Sequence, residues 1–234
     1  MDLDSLSPDH RAFVGRLLDI GARKYHDKHP FHRRMNAGEL SRAELQRWAI
    51  NRFYYQRTIP MKDAAILSNV QDPAFRRRWI QRILDHDGRS ADDSGLEAWL
   101  RLVEAVGATR AQAWDESLVL PGVRFAVDAY LNFCRQRPWI DAVASSLTEL
   151  FAPKLHAVRL DAFPVHYPWI DSNGLAYFRT RIKQANSDVD HGLSLVLAHC
   201  TTPELQARAL AALDFKCDVL WAQLDAIAAA HPQG

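Results

Sequence analysis

The stretch Asn51 to Asp63, NRFYYQRTIPMKD, places groups that belong in water where a helix should be apolar. If a helix opens at Ser41, then Leu45, Trp48, Ala49, Arg52, Gln56 and Ile59 recur at spacings of three and four and share one face. Arg52 and Gln56 thus stand inside the apolar stripe. A guanidinium held there needs an anion or strong acceptors, because burying it without them costs several kcal/mol. A structural ion pair and a ligand site both satisfy that need. A helix from Pro73 to about Asp87 repeats the departure, aligning Phe75, Trp79, Arg82, Ile83 and His86. Alone, Arg82 reads as an arginine whose stem packs on the core while its head reaches water, and His86 as a hydrogen-bonded core histidine. It is the repetition on two helices that favours a site. Arg76, Arg77 and Arg78 read as a solvated helix face.

Bases near apolar stripes or proline bends also include Lys62, Arg159, Arg181 and Lys216, spread along nearly the whole chain. If a fold brings them together they suit a small molecule with several carboxylates, since arginine forks grip carboxylates in bidentate fashion and lysine adds point charge. His26, His86, His156, Tyr25, Tyr55, Tyr130 and Tyr177 offer proton donors and acceptors near neutral pH. The chain has no Gly-rich phosphate loop, GxSxG elbow or HExxH helix. A di-iron site built on Glu149, His156, Asp188 and His191 falls short of the roughly six side chains such a site takes, and structural hydrogen bonding is the competing reading.

Helices must position these groups. The 234 residues, 48% of them hydrophobic, suffice for one core and are expected to form one domain over 1–234. A net charge of +1 favours neither nucleic acid nor membrane, so any anion recognition must be local. The first thirty residues lack an apolar block of signal-peptide length, no segment approaches a bilayer span, and Cys134, Cys200 and Cys217 form no CxxC pattern. The expectation is a soluble, cytoplasmic protein.

Ser7-Pro8 opens a first helix carrying Phe13, Leu17 and Ile20, which fades near Tyr25-His26 into a loop of about a dozen residues. Ser41 and Glu44 form a capping box for the second helix, which Pro60 is expected to break or kink on its way to Val70. After a polar loop at Asp87 to Gly95, Leu96 to Val106 reads as a helix closed by a left-handed Gly107. Pro121 starts a helix with Phe125, Tyr130 and Phe133, and Pro138 starts another through Thr148 to Phe151. Pro153 imposes a bend, after which His156 and Arg159 lie one turn apart on a helix ending near Pro164 to Pro168.

From about Asp171 to His199 a long helix has Phe178, Ala185, Val189 and Val196 on its apolar side. Its second stripe, Tyr177, Arg181, Gln184, Asp188 and His191, is of the kind that is ordinarily solvated. Thr202-Pro203-Glu204 caps a last helix whose Leu210, Leu213, Cys217, Leu220, Leu224 and Ile227 form a packing seam flanked by Lys216. Without alternating β-branched runs or hairpin turns, the class is all-α, a compact bundle with its ligand site between helices.

The blocks NRFYYQRTIPMKDAAI (51–66), RRWIQRILDHDG (77–88), LPGVRFAVDAYLNFCR (120–135), SSLTELFAPKLHAVRLDAF (145–163) and HYPWI (166–170) closely resemble the pyrroloquinoline-quinone synthase (PqqC) family. The resemblance covers almost the whole chain. It implies a heme-oxygenase-like fold of about seven helices, a homodimer, and an oxidase with neither metal nor cofactor. Such an enzyme closes a ring in a bicyclic amino acid with three carboxylates, removes eight electrons with O2 and releases hydrogen peroxide.

Carried over, the family assigns Arg52, Gln56, Lys62, Arg82, Arg159 and Lys216 to the carboxylates and quinone oxygens, with Tyr25, Tyr55, Tyr130, Thr148 and Glu149 completing the lining. His26 and His86 would move protons with help from His156, and Tyr177, Arg181 and His86 would form the pocket where O2 is reduced. The alternatives are a quinone carrier on the same scaffold and a di-iron oxygenase.

Overall fold

Prolines and small polar side chains set where the helices of this protein begin. The computed structural model describes residues 6–90 and 92–230, with the backbone alone for 183–189. Its α-helices are α1 (Pro8–Lys24), α2 (Pro30–Asn36), α3 (Arg42–Ser68), α4 (Pro73–Asp87), α5 (Gly95–Ala105), α6 (Arg110–Trp114), α7 (Pro121–Gln136), α8 (Trp139–Ser145), α9 (Ala152–His166), α10 (Ala176–His199) and α11 (Pro203–Ala229). Among the described residues there is no strand. Ser7, Asp72 and Thr202 cap helices whose first turn holds a proline, and Ser41 with Glu44 forms the expected capping box.

Several expectations are corrected. The presumed loop after α1 is mostly helical, because Pro30 fills a first-turn position and His29 Nδ1 accepts the Phe31 amide at 3.0 Å, creating α2. α3 runs unbroken through Pro60. The proline removes one N–H, the donor that would have met the Gln56 carbonyl, and burial of the surrounding turn holds the helix together. α6, with its Thr109–Gln112 capping box, was not anticipated in so short a segment. The helix expected from Pro138 tightens after Ser145 into a 3-10 turn at Ser146–Leu150, and Pro153 starts α9 rather than bending it. α9 continues through Pro164 to His166.

Phe125 is 78% exposed, because α7 buries Val123, Ala126, Val127, Tyr130, Leu131 and Cys134 instead. The segment at Ser172–Leu175 is a 3-10 turn, so α10 starts only at Ala176. Tyr177 and Arg181 on α10 are buried, not solvated, because Tyr177 meets Gln56 of α3 and Arg181 stands against Glu149 of the 3-10 turn at Ser146–Leu150; Gln184, Ala185, Asp188 and Val189 lie outside the described side chains.

α3 is the central element, packed by α4, α5 and α7, while α11 lies against α1, α7 and α8. Trp48 of α3 and Trp99 of α5 meet with ring centroids 5.4 Å apart, and Phe75 stacks on Trp79 within α4. No described helix is long and apolar enough to cross a membrane.

Candidate active site

Between α3, α9, α10 and α11 lies a narrow cavity of about 70 Å³, partly open to solvent and tighter than the roughly 300–1,000 Å³ of most small-molecule sites, so its walls must give way to admit a bicyclic ligand. The turn after α1 contributes Tyr25 and His26, and α3 contributes Arg52, Tyr55, Gln56 and Lys62. His86 comes from α4, Tyr130 from α7, and Thr148 and Glu149 from the 3-10 turn. His156 and Arg159 enter from α9, Tyr177 and Arg181 from α10, and Lys216 from α11, with Ile59, Trp99, Leu155 and Leu220 as apolar wall.

Arg82, also expected at the site, is not among the residues that line this cavity. It lies behind the lining, donating Nη1 to Glu149 Oε2 at 2.9 Å and Nη2 to Glu149 Oε1, while its Nε reaches Asp63 Oδ1 at 3.3 Å. Its fork is used for two carboxylates of its own chain, so it orients the wall instead of facing the cavity. Burial by itself would raise the Glu149 carboxyl, but Arg82, Arg181 and Lys62 outweigh it and hold it at about 2. The same Asp63 oxygen accepts Lys62 Nζ at 2.7 Å and Trp79 Nε1 at 3.0 Å. Arg181 Nη2 stands 3.7 Å from Glu149 Oε1.

Among the described residues, three other bases have no carboxylate within ion-pair distance. Arg52 donates Nη1 to the Gln223 amide oxygen at 3.0 Å and lies 4.0 Å over the Tyr55 ring. Arg159 Nη2 is 2.8 Å from His32 Nε2, and its Nε has no hydrogen-bond partner. Lys216, 1% exposed, donates Nζ to the Tyr55 hydroxyl at 2.7 Å and stands 3.2 Å above the Tyr130 ring. Burial, reinforced by Lys62 and Arg52, pushes the Lys216 amine well below the ordinary lysine range, and burial with Arg52 brings Arg159 down to about 9. These bases therefore keep donor capacity that an incoming anion can satisfy.

The imidazoles have the opposite character. His86 Nδ1 is 3.1 Å from the Arg82 carbonyl, which can only accept, so Nδ1 carries the proton and the partnerless Nε2 keeps its lone pair. Burial and then Arg181 lower this histidine to about 3. Burial and nearby cations also hold His26 and His156 well below the usual histidine range, and Nδ1 of each is without a partner. All three are neutral near pH 7 and able to take a proton. Tyr177 donates its hydroxyl to Gln56 Oε1 at 2.8 Å, and burial raises Tyr25, Tyr55 and Tyr130.

Glu149 and His156 share the cavity, but Glu149 is taken by Arg82, and His191 packs against the rings of Phe75 and Trp79. Among the described residues, no three His, Cys, Asp or Glu side chains converge. The sequence reading missed Asp63, Ser146, His32 and Gln223, which hold Lys62, Arg159 and Arg52 from behind. Gln223 lies seven residues after Lys216 and so on its face of α11, a signal that was available; His32 was hidden in the presumed loop.

A pyrroloquinoline-quinone synthase of Klebsiella pneumoniae (strain 342) is 56% identical over 228 residues, covering 97% of this chain and 90% of that protein. The pyrroloquinoline-quinone synthase of Acinetobacter baylyi is 56% identical over 219 residues, covering 94% and 86%. Among solved structures, a TenA homolog from Pseudomonas syringae pv. tomato superposes with a TM-score of 0.79 at 14% identity, covering 97% of this chain and 95% of that one. A Shewanella denitrificans domain with a heme oxygenase-like fold gives 0.74 at 12% identity, covering 97% and 92%. These last two define the fold, a heme-oxygenase-like helical bundle. Residues 15–226 match one family description throughout, and the chain belongs to the TENA/THI-4/PQQC family.

Proposed function

We propose that this protein is a pyrroloquinoline-quinone synthase, a single catalytic domain over 1–234 that turns a tricarboxylate precursor into the quinone with O2 and no resident metal or cofactor. The observation that supports it best is the set Arg52, Arg159 and Lys216, buried or partly buried round one cavity and, among the described residues, with no carboxylate at ion-pair distance. Relatives at 56% identity carry that name. On this reading the three bases, with Lys62 and Arg181, receive the substrate carboxylates and ring oxygens, while Tyr25, Tyr55, Tyr130 and Thr148 fix its plane.

After ring closure, His86 Nε2 takes a proton from carbon and the electron pair passes into the ring as a quinol anion. That anion gives two electrons to O2, which takes up two protons, the one left on the quinol hydroxyl and the one held by His86, and leaves as hydrogen peroxide. Arg181, beside Tyr177, lowers the energy of the reduced oxygen by its charge. His26 and His156 relay protons. The active form is taken to be a cytoplasmic homodimer.

Purified protein, stripped with chelator and given precursor and air, is expected to form quinone and peroxide. An iron requirement overturns the metal-free mechanism in favour of an oxygenase, and tight stoichiometric quinone binding without oxygen uptake makes the protein a carrier. His86→Ala is expected to bind precursor normally and accumulate a reduced intermediate. Normal turnover in that variant would remove His86 from proton transfer.

A further inference from the structure

Gln223 is 1% exposed, and its amide has one possible orientation: Nε2 donates to the Val219 carbonyl at 3.2 Å, and Oε1 accepts from Arg52 Nη1 at 3.0 Å. His32 is equally buried and equally constrained. Its Nδ1, 2.9 Å from the His26 carbonyl, must donate, so Nε2 is the acceptor that meets Arg159 Nη2 at 2.8 Å. Both second-layer groups are neutral, whereas behind the opposite wall Arg82 is held by the carboxylates of Glu149 and Asp63. A carboxylate behind Arg52 or Arg159 would aim it as well and bind it more strongly, but would cancel the field it sends into the cavity.

Resting on the reading that the ligand is a polyanion, we infer that Gln223 and His32 are positioning residues that aim Arg52 and Arg159 at the cavity while leaving their charge undiminished for the ligand. They set the charge balance of the site and so its preference for a highly charged guest. His32 adds a second constraint, because its bond to the His26 carbonyl ties the aim of Arg159 to the turn that carries His26.

The test uses the full chain and titration with the quinone product. Gln223→Glu changes almost no volume and adds a carboxylate at Arg52; it should raise the product Kd at least tenfold and the precursor KM in parallel, with little change in kcat. Its empty form should melt no lower than wild type, since the base has gained a partner. Gln223→Met, with neither acceptor nor charge, releases the aim of Arg52 without adding an anion beside it and should weaken binding several-fold, less than Gln223→Glu does. At His32, the Asn variant keeps a donor to the His26 carbonyl but loses the Arg159 acceptor, and His32→Gln restores an acceptor near the Nε2 position. The Asn variant should bind several-fold more weakly and Gln should recover most of the loss. Unchanged affinity in Gln223→Glu, equal losses in Gln223→Glu and Gln223→Met, or equal losses in both His32 variants would overturn the inference. Failure of the wild-type protein to bind the quinone would instead overturn the proposed function.

Discussion

Lys216 shows what a binding group costs a resting protein. A lysine so deeply buried, held by a tyrosine hydroxyl and two tyrosine rings and, among the described residues, by no carboxylate, is a net destabilising element, retained because something else requires it. Lys216→Met, which fills the same space without the amine, is expected to raise the stability of the ligand-free protein by about 1 kcal/mol or more, a melting shift of roughly 2–4 °C, while abolishing product binding and turnover. The pH dependence follows from the depressed amine. Between its folded value and about 10.4, the unfolded chain binds a proton that the native chain does not, so native stability rises with pH across that window. The advantage of Lys216→Met should therefore be largest near neutrality and shrink toward pH 10. Thermal unfolding of both proteins across pH 7–10 checks the sign.

At the scale of elements, α4 and the 3-10 turn at Ser146–Leu150 are joined by Arg82 and its two carboxylates. Arg82→Met takes away the bidentate partner of Glu149 and a cation beside Asp63, which keeps Lys62, and is expected to destabilise by about 3 kcal/mol or more, the opposite sign to Lys216→Met. Glu149, held at about 2, contributes stability that is complete above about pH 4.3 and is lost as pH falls toward 2; in Arg82→Met that acid-dependent loss should largely vanish. These paired behaviours explain what the sequence could and could not reveal. Helical periodicity placed Arg52, Gln56, Arg82 and His86 on buried faces, and proline and capping residues located α1, α3, α4, α5, α7 and α11. Periodicity fixes a face, not what that face meets, so Arg82 and Lys62 looked alike although one backs the wall and the other lines it. Short helices were harder. α2 depends on a histidine cap and α6 spans a single turn or so, and neither leaves a repeating stripe. The burial of Tyr177 and Arg181 depends on how α10 lies against α3, which local sequence does not encode.

Across the whole molecule the cavity draws on segments from Tyr25 to Lys216, so binding and global stability are coupled. Quinone product at a hundred times its Kd is expected to stabilise the fold by about 2.7 kcal/mol, visible as a rise in melting temperature that the Lys216→Met variant does not show. The lining also sets an order of assembly. The wall formed by Lys216 and Leu220 is missing until α11, spanning Pro203–Ala229, docks on α7 and α8. Seating that helix forces the Lys216 amine out of water and toward bases already in place, a cost that an anionic guest relieves. A newly synthesised chain thus completes its fold against an electrostatic load, and cells short of the precursor should lose more of it to proteases before it matures.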